Sequence, residues 1–242
     1  AYIGATMVGS GTGTGANLNI TIAAANLSLG SNTVTFTATA GTCSANLTNN
    51  ATVTVNALPS NSLTVSGDEV CDGEDATVTI QSSENGVDYE AFIGATSVGT
   101  GTGTGGNLNI TISAANLSVG TNTVSFVATN ATTTCSDNLT NDATVTVNAL
   151  PANSLTVSGS TVCEGDDGTV TIQSSELGVD YEAFIGATSV GTGTGNGGDL
   201  VITIASANLS LGSNTVDFVA TNPTTTCFVT LSNQAEVIVS TS

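Results

Sequence analysis

The sequence has no lysine, arginine or histidine in 242 residues, against 19 aspartates and glutamates, giving a formal charge of −19. An average chain of this length carries on the order of 30 basic residues. Without them the chain has nothing to neutralise nucleic-acid phosphates, and it lacks the polybasic contacts that hold proteins to anionic membrane surfaces. It also has no histidine general base, no histidine metal ligand and no Schiff-base lysine, so most enzyme classes lose their working parts. No run of 18 apolar residues occurs, which excludes a bilayer-spanning helix. Ala1-Tyr2-Ile3-Gly4 lacks the basic start of a signal peptide, so an export address is expected outside this stretch. Tryptophan is absent too, which removes the usual platform for sugar stacking.

What is present is apolar enough to fold. Hydrophobic residues make up 39% and charged residues 8%, unlike the charge-rich, apolar-poor composition of disordered chains. The chain is also repetitive. Tyr89 to Gly99 returns intact as Tyr181 to Gly191, 92 residues later; Cys71 returns as Cys163, Cys135 as Cys227, and Asn148-Ala149-Leu150-Pro151 repeats Asn56-Ala57-Leu58-Pro59 at the same offset. Tyr2-Ile3-Gly4-Ala5-Thr6 matches Phe92 to Thr96. The organisation expected is a partial repeat over 1–56, holding only the C-terminal part of the unit, followed by complete repeats over 57–149 and 150–242. A period of 92 is longer than a solenoid unit and suits a free-standing domain.

Within a repeat, Ala76–Gln81, Leu108–Ile112, Thr123–Val127 and Ala143–Val147 alternate apolar and polar residues as half-buried strands do. Leu63–Ser66 and Val87–Ile93 supply two more, and threonine, which favours the pleated surface, fills most polar positions. Ala114-Ala115-Asn116-Leu117-Ser118 allows one helical turn. Six or seven short strands in about 92 residues predict an all-β chain of tandem immunoglobulin-like β-sandwiches, arranged as beads on a string. Gly99-Thr100-Gly101-Thr102-Gly103-Thr104-Gly105-Gly106 reads as a loop or loose hairpin; with no lysine it is not a phosphate cradle.

The series Val70-Cys71-x-Gly73, Thr77-Val78-Thr79-Ile80, Gly86-Val87-x-Tyr89, Ala115-Asn116-Leu117-Ser118-x-Gly120-x-Asn122-Thr123, Cys135 and Ala143 to Asn148 resembles bacterial Ig-like tandem repeats. These occur in very large surface and secreted proteins of Bacteroidetes, including gliding-motility-type adhesins exported by the type IX system. The resemblance covers both full repeats and the partial one. It implies an extracellular, cell-surface address and a stalk or adhesive role.

Five cysteines, Cys43, Cys71, Cys135, Cys163 and Cys227, contain no Cys-x-x-Cys and have no histidine to complete a zinc site. Two pairings respect the repeat. Cys71–Cys135 and Cys163–Cys227 lie within repeats and leave Cys43 to a cysteine outside this segment. Cys43–Cys71 and Cys135–Cys163 lie between repeats and leave Cys227 over. The first is preferred because it staples a small domain. One geometric difficulty attends it: strand counting puts Cys71 and Cys135 at opposite ends of the sandwich, about 23 Å apart for a seven-residue strand, whereas a bridge needs Cα atoms within about 7 Å.

Charge is confined to the complete repeats, ten acids in 57–149 and nine in 150–242. Asp72, Glu74 and Asp75, with their counterparts Glu164, Asp166 and Asp167, are candidate Ca²⁺ ligands because they place hard oxygens on one turn. The plainer reading is a solvated acidic turn that keeps neighbouring stalks apart. A glycosidase carboxylate pair is disfavoured on a repeated sandwich without tryptophan; no catalytic residue is assigned, and no cofactor other than this calcium is expected. The chain therefore reads as a non-enzymatic repeat array forming the stalk or filament of a bacterial surface protein. Its expected partners are neighbouring repeats, or identical chains in a filament. The alternatives are an adhesin module that binds a glycan or protein, or a subunit of a strand-exchanged fibre.

Overall fold

A computed structural model describes residues 1–241. Alternating valine, isoleucine and threonine set the pattern throughout. In the second repeat the strands are β7 (Val65–Ser66), β8 (Glu69–Cys71), β9 (Ala76–Ile80), β10 (Val87–Ile93), β11 (Thr96–Thr102), β12 (Leu108–Ile112), β13 (Gly120–Asn130), β14 (Ser136–Asn138) and β15 (Ala143–Asn148). One sheet has the order β12-β9-β7. The other has β11-β10-β13-β15-β8, with β14 also on β13. All neighbours are antiparallel except β8, which runs parallel to β15. The third repeat repeats the plan with β16 (Val157–Gly159), β17 (Thr161–Cys163), β18 (Gly168–Ile172), β19 (Asp180–Ile185), β20 (Thr188–Thr194), β21 (Leu200–Ile204), β22 (Gly212–Thr221), β23 (Phe228–Thr230) and β24 (Ala235–Ser240). The architecture is the tandem Ig-like β-sandwich expected from the sequence, with each repeat enclosing its own core: Val78, Ile80, Tyr89, Ile110, Ile112 and Phe126 in one, Val170, Ile172, Tyr181, Ile202, Ile204 and Phe218 in the other.

The first strand of each sandwich changes sheets partway, β7 lying in one and β8 in the other. Gly67 sits at the crossing, where an added Cβ would stand 1.7 Å from the Thr144 carbonyl oxygen; at Gly159 the equivalent contact is 2.2 Å from the Glu236 oxygen. Only a residue without a side chain lets the backbones pass. Asp68 then closes the corner by accepting the Thr77 N–H at 3.1 Å, and Ser160 accepts the Thr169 N–H at 2.8 Å in the same place. We expect Gly67→Ala to destabilise the second repeat by about 3 kcal/mol, the upper end of overpacking costs, because backbone rather than a side chain must move. Chemical denaturation of the variant measures it; a change under about 0.5 kcal/mol, the range of neutral surface substitutions, would show that the crossing relaxes freely.

The glycine–threonine tract is one arm of a hairpin over Gly99–Thr102 and a loop only over 103–106. Thr96–Thr102 is a paired strand, with Asp88 opposite Thr102 and Glu90 opposite Thr100. Threonines face solvent, while the glycines turn inward. An added Cβ at Gly99 would meet Ile110 Cγ2 at 2.6 Å, and one at Gly101 would meet Leu108 Cδ1 at 3.0 Å. The inward face is thus left empty of side chains so that β12 can fill it. Ala114–Asn116 forms a single 3₁₀ turn, as expected. Just after it Asn122, itself buried, accepts the Ser118 N–H at 3.0 Å and donates to the Ser118 carbonyl at 2.7 Å, closing the turn into β13.

The partial repeat contains β1 (Tyr2–Ile3), β2 (Thr6–Met7), β3 (Gly30–Val34), β4 (Thr37–Ala40), β5 (Cys43–Asn46) and β6 (Ala51–Val55), paired β1–β2, β3–β6 and β4–β5. Residues 18–22, which match β12, form no strand here. In the full repeat β12 is held by β9, and residues 1–56 include no counterpart of β9.

Candidate functional site: the junction between repeats

Each sandwich has an entry end and an exit end. In the second repeat the chain arrives at Pro59-Ser60, beside Glu84, and leaves from β15 through Asn148. Both prolines of the linkers, Pro59 and Pro151, are buried. The Ser60 N–H donates to Glu84 Oε1 at 2.5 Å, and the Ala152 N–H donates to Glu176 Oε1. Downstream, Ser232 N–H donates to the Asn153 carbonyl at 2.7 Å and Asn233 Nδ2 donates to the Leu155 carbonyl at 2.9 Å. The linker is therefore tied to the repeat it enters from residue 152 onward. Ala149 and Leu150 are left as the short stretch able to bend. A glutamate carboxylate thus caps the first amide after each linker proline.

The same glutamates are tied to the core through their backbone. The Glu84 N–H donates to Tyr89 Oη at 2.9 Å, and the Glu176 N–H donates to Tyr181 Oη at 2.9 Å; both tyrosines are fully buried. Burial pushes both phenols above their ordinary pKa of 10.0, and the nearby glutamate adds to the rise, while the hydrogen bond to the ring oxygen works the other way. An unfolded chain loses these protons from about pH 10 upward while the folded one keeps them. Stability is accordingly full below that value and falls as pH climbs through the folded pKa. Thermal melts should show this alkaline loss, and Tyr89→Phe with Tyr181→Phe should flatten it while lowering the melting temperature at neutral pH. An unchanged alkaline slope in the double variant would count against the assignment.

The cysteines pair differently from either expected scheme. Cys71 is bonded to Cys227, with Cα atoms 5.6 Å apart and a sequence separation of 156. Cys43, Cys135 and Cys163 are free. The within-repeat pairs Cys71–Cys135 and Cys163–Cys227 fail on length. Cys71 lies opposite Asn148, and the neighbouring Val147 lies opposite Gly120 at one end of β13. Cys135 accepts the N–H of Asn130, at the other end. Ten residues of strand separate those ends, about 33 Å at 3.3 Å per residue. The first strand does switch sheets, but the switch carries Cys71 to the exit end and so holds the pair apart. By the same register Cys163, opposite Ser240, is at the exit end of the third repeat, and Cys227, bonded to Asn222, is at its entry end. Cys135 and Cys163 thus occupy the two outermost ends of the pair of sandwiches, which also defeats the 28-residue pairing. The bond that does form joins the exit of one repeat to the entry of the next.

Around it lies an open cleft of about 650 Å³ lined by Glu69, Asp72, Glu74, Asn148, Leu150 and Phe228, among others. The calcium candidates are dispersed by other duties. Glu74 Oε2 accepts the Cys71 N–H at 3.0 Å, folding back on its own turn. Asp75 Oδ1 accepts the Ala114 N–H at 2.8 Å and Asp167 Oδ1 accepts the Ser206 N–H at 2.8 Å, each capping a 3₁₀ turn on the neighbouring segment. Asp72 borders the cleft. Asp166 and Glu164 lie on the equivalent turn of the third repeat, where their backbone amides bond to Cys163 and Ser240. Glu74, Asp75 and Asp167 thus serve as caps for turns, and among the described residues no three histidine, cysteine, aspartate or glutamate side chains gather as a metal site. On the outer sheet face, Thr102 and Thr194 donate to Asp88 and Asp180 at 2.6 and 2.7 Å, beside shallow open grooves.

The entry–exit pairing was the feature that sequence reasoning missed. Its signal was the short run Glu69–Cys71, which forms the strand that carries Cys71 to the exit end.

No family model matches the chain, and no curated protein matches it. Among solved structures it is similar to the fibronectin(III)-like modules of Clostridium thermocellum CbhA, at 13% identity over 74% of this chain and 94% of that one, with a TM-score of 0.37. It is similar to the I9–I11 tandem of titin, at 16% identity over 90% and 77%, TM-score 0.38. It is also similar to the FN1–FN3 domains of chicken CNTN1, at 14% identity over 87% and 76%, TM-score 0.39. All three likenesses are at low identity and low TM-score, and no statement about this chain rests on them.

Proposed function

We propose that the chain is a length of non-enzymatic stalk from an extracellular bacterial surface protein, in which repeats set reach and stiffness. The observation that carries this reading is the junction. Chain entry and exit lie at opposite ends of each sandwich, so repeats add end to end, and Cys71–Cys227 closes the joint beside a bendable stretch of only two residues, Ala149 and Leu150. A disulfide of this kind fits an oxidising, extracellular setting. The uniform negative charge fits a filament whose neighbours repel, and the lack of lysine and arginine leaves trypsin-like proteases no cleavage site in it.

The test is to add one copy of residues 150–242 to the C-terminus and compare maximum dimensions by small-angle scattering, alongside a glycan array and a cell-binding assay. A stalk lengthens by about 40 Å per sandwich, roughly the span of its longest strand plus a linker, and binds nothing specifically. Specific, saturable binding by the array would favour the adhesin alternative, and a particle that does not lengthen would end the stalk reading.

A further inference from the structure

We propose that Cys163 and Cys135 are the two halves of the same inter-repeat staple as Cys71–Cys227, each awaiting a flanking repeat, so that the array is laced by one disulfide at every junction. This rests on the stalk reading only in taking a repeat to be flanked by others of its kind.

Bonded and unbonded copies are built alike. On the exit side, Glu74 N–H donates to the Cys71 carbonyl at 3.0 Å and Asp166 N–H donates to the Cys163 carbonyl at 3.1 Å. The next amide is fixed as well, Asp72 N–H on Asn148 at 2.8 Å and Glu164 N–H on Ser240 at 3.0 Å. On the entry side, Asn130 N–H donates to the Cys135 carbonyl at 2.9 Å and Asn222 N–H to the Cys227 carbonyl at 2.8 Å. Thr134 and Thr226, the residues just before these cysteines, both adopt left-handed backbone, φ 58° and 61°. Both sulfurs, the free thiol of Cys135 and the bonded Cys227, lie 3.8 Å from the carbonyl oxygen two residues back. One member of each kind is bonded to the other across the one complete junction in the chain. The free exit cysteine, Cys163, is exposed, and the free entry cysteine, Cys135, is partly so. Cys43 stands 92 residues before Cys135 and is a third entry cysteine. Every free thiol is therefore explained by one rule: its mate belongs to a repeat on the far side of a junction.

Closure is a thiol–disulfide exchange with a disulfide oxidant, either a small molecule or an oxidoreductase. The Cys163 thiolate attacks the oxidant's S–S bond, forming a mixed disulfide and expelling one thiolate. The entry cysteine of the following repeat, as thiolate, attacks the Cys163 sulfur and expels the second. One S–S bond forms and one breaks. Two cysteines are oxidised by two electrons in total, and their protons pass to the oxidant's two thiols.

The full chain extended by one copy of residues 150–242, refolded with glutathione disulfide, tests this by thiol titration and by peptide mapping with pepsin at acid pH. The addition brings two cysteines, yet the titration should still find three free thiols, the number in the parent chain, and the map should join Cys163 to the added copy's equivalent of Cys227. Cys163→Ser in the extended chain should raise the count by one while Cys71–Cys227 persists. A count of three plus two, or a Cys163 bridge to any other cysteine, overturns the proposal. Scattering on the same sample separates the two readings: a rod with unlaced thiols keeps the stalk and loses the lacing, and a laced chain that does not lengthen does the reverse.

Discussion

Stretched between its termini after unfolding, the oxidised chain stops about 530 Å short of the reduced chain, because the 156 residues spanned by Cys71–Cys227 are bypassed at about 3.4 Å each. Single-molecule pulling with and without reductant measures the difference directly. The load passes from Cys71 through sulfur to Cys227, and both complete hydrophobic cores lie almost wholly inside the bypassed segment. The second core, and the third apart from Leu231, Ala235 and Val237 beyond Cys227, are shielded from the load until the bond is reduced. Reduction alone leaves each fold in place, since the bond belongs to neither core, but it frees Ala149-Leu150 to bend. An equal contour length in the two conditions would mean that Cys71 and Cys227 are not joined.

Phe126→Ala should remove about 3–5 kcal/mol from the second repeat, out of a total stability of about 5–15 kcal/mol for a domain, and leave the third repeat unaffected. Phe126 is 1% exposed and packs with Tyr89, Ile110 and Val124 in a cluster that shares no residue with the cluster around Phe218. Calorimetry should therefore split into two transitions, one shifted down and one near its original temperature. Phe218→Ala should give the mirror result. A single transition that moves as a whole would show that the two sandwiches unfold as one unit.

Much of this fold is legible in alternation. Ala76-Thr77-Val78-Thr79-Ile80 can bury only one face as a strand, and it does; Leu108–Ile112 and Ala143–Val147 follow the same rule. The glycine–threonine tract alternates just as strictly, but a hydrophobicity pattern sees nothing in a face made of glycine. Its inward partner is the isoleucine of another strand, and that becomes visible only when β11 and β12 are side by side. Glu69–Cys71 is too short and too acidic to read as a strand, yet pairing with β15 makes it one. The junction was hidden for a related reason. Spacing within a chain ranks nearby cysteines first, whereas the sandwich sends successive cysteines to opposite ends and makes the partner 156 residues away the near one. The acidic turns show the reverse case: residue type suggested a metal, and the neighbouring backbone amides had already taken two of the three side chains in the second repeat.

The order of the two cysteines along the chain has a consequence for how such a protein matures. The exit cysteine of a repeat is made before its entry cysteine, and its partner lies a further repeat downstream. At about 5–20 residues per second, Cys71 waits roughly 8–30 s for Cys227 to be synthesised. For about the second half of that time, once Asn148 has been made, its own sandwich can be complete while its thiol is still reduced. A growing array under the lacing rule always carries an unpaired thiol at its youngest finished repeat. Folding of each unit and its attachment to the next are thus separate events in time, the first local and early, the second later and dependent on an electron acceptor.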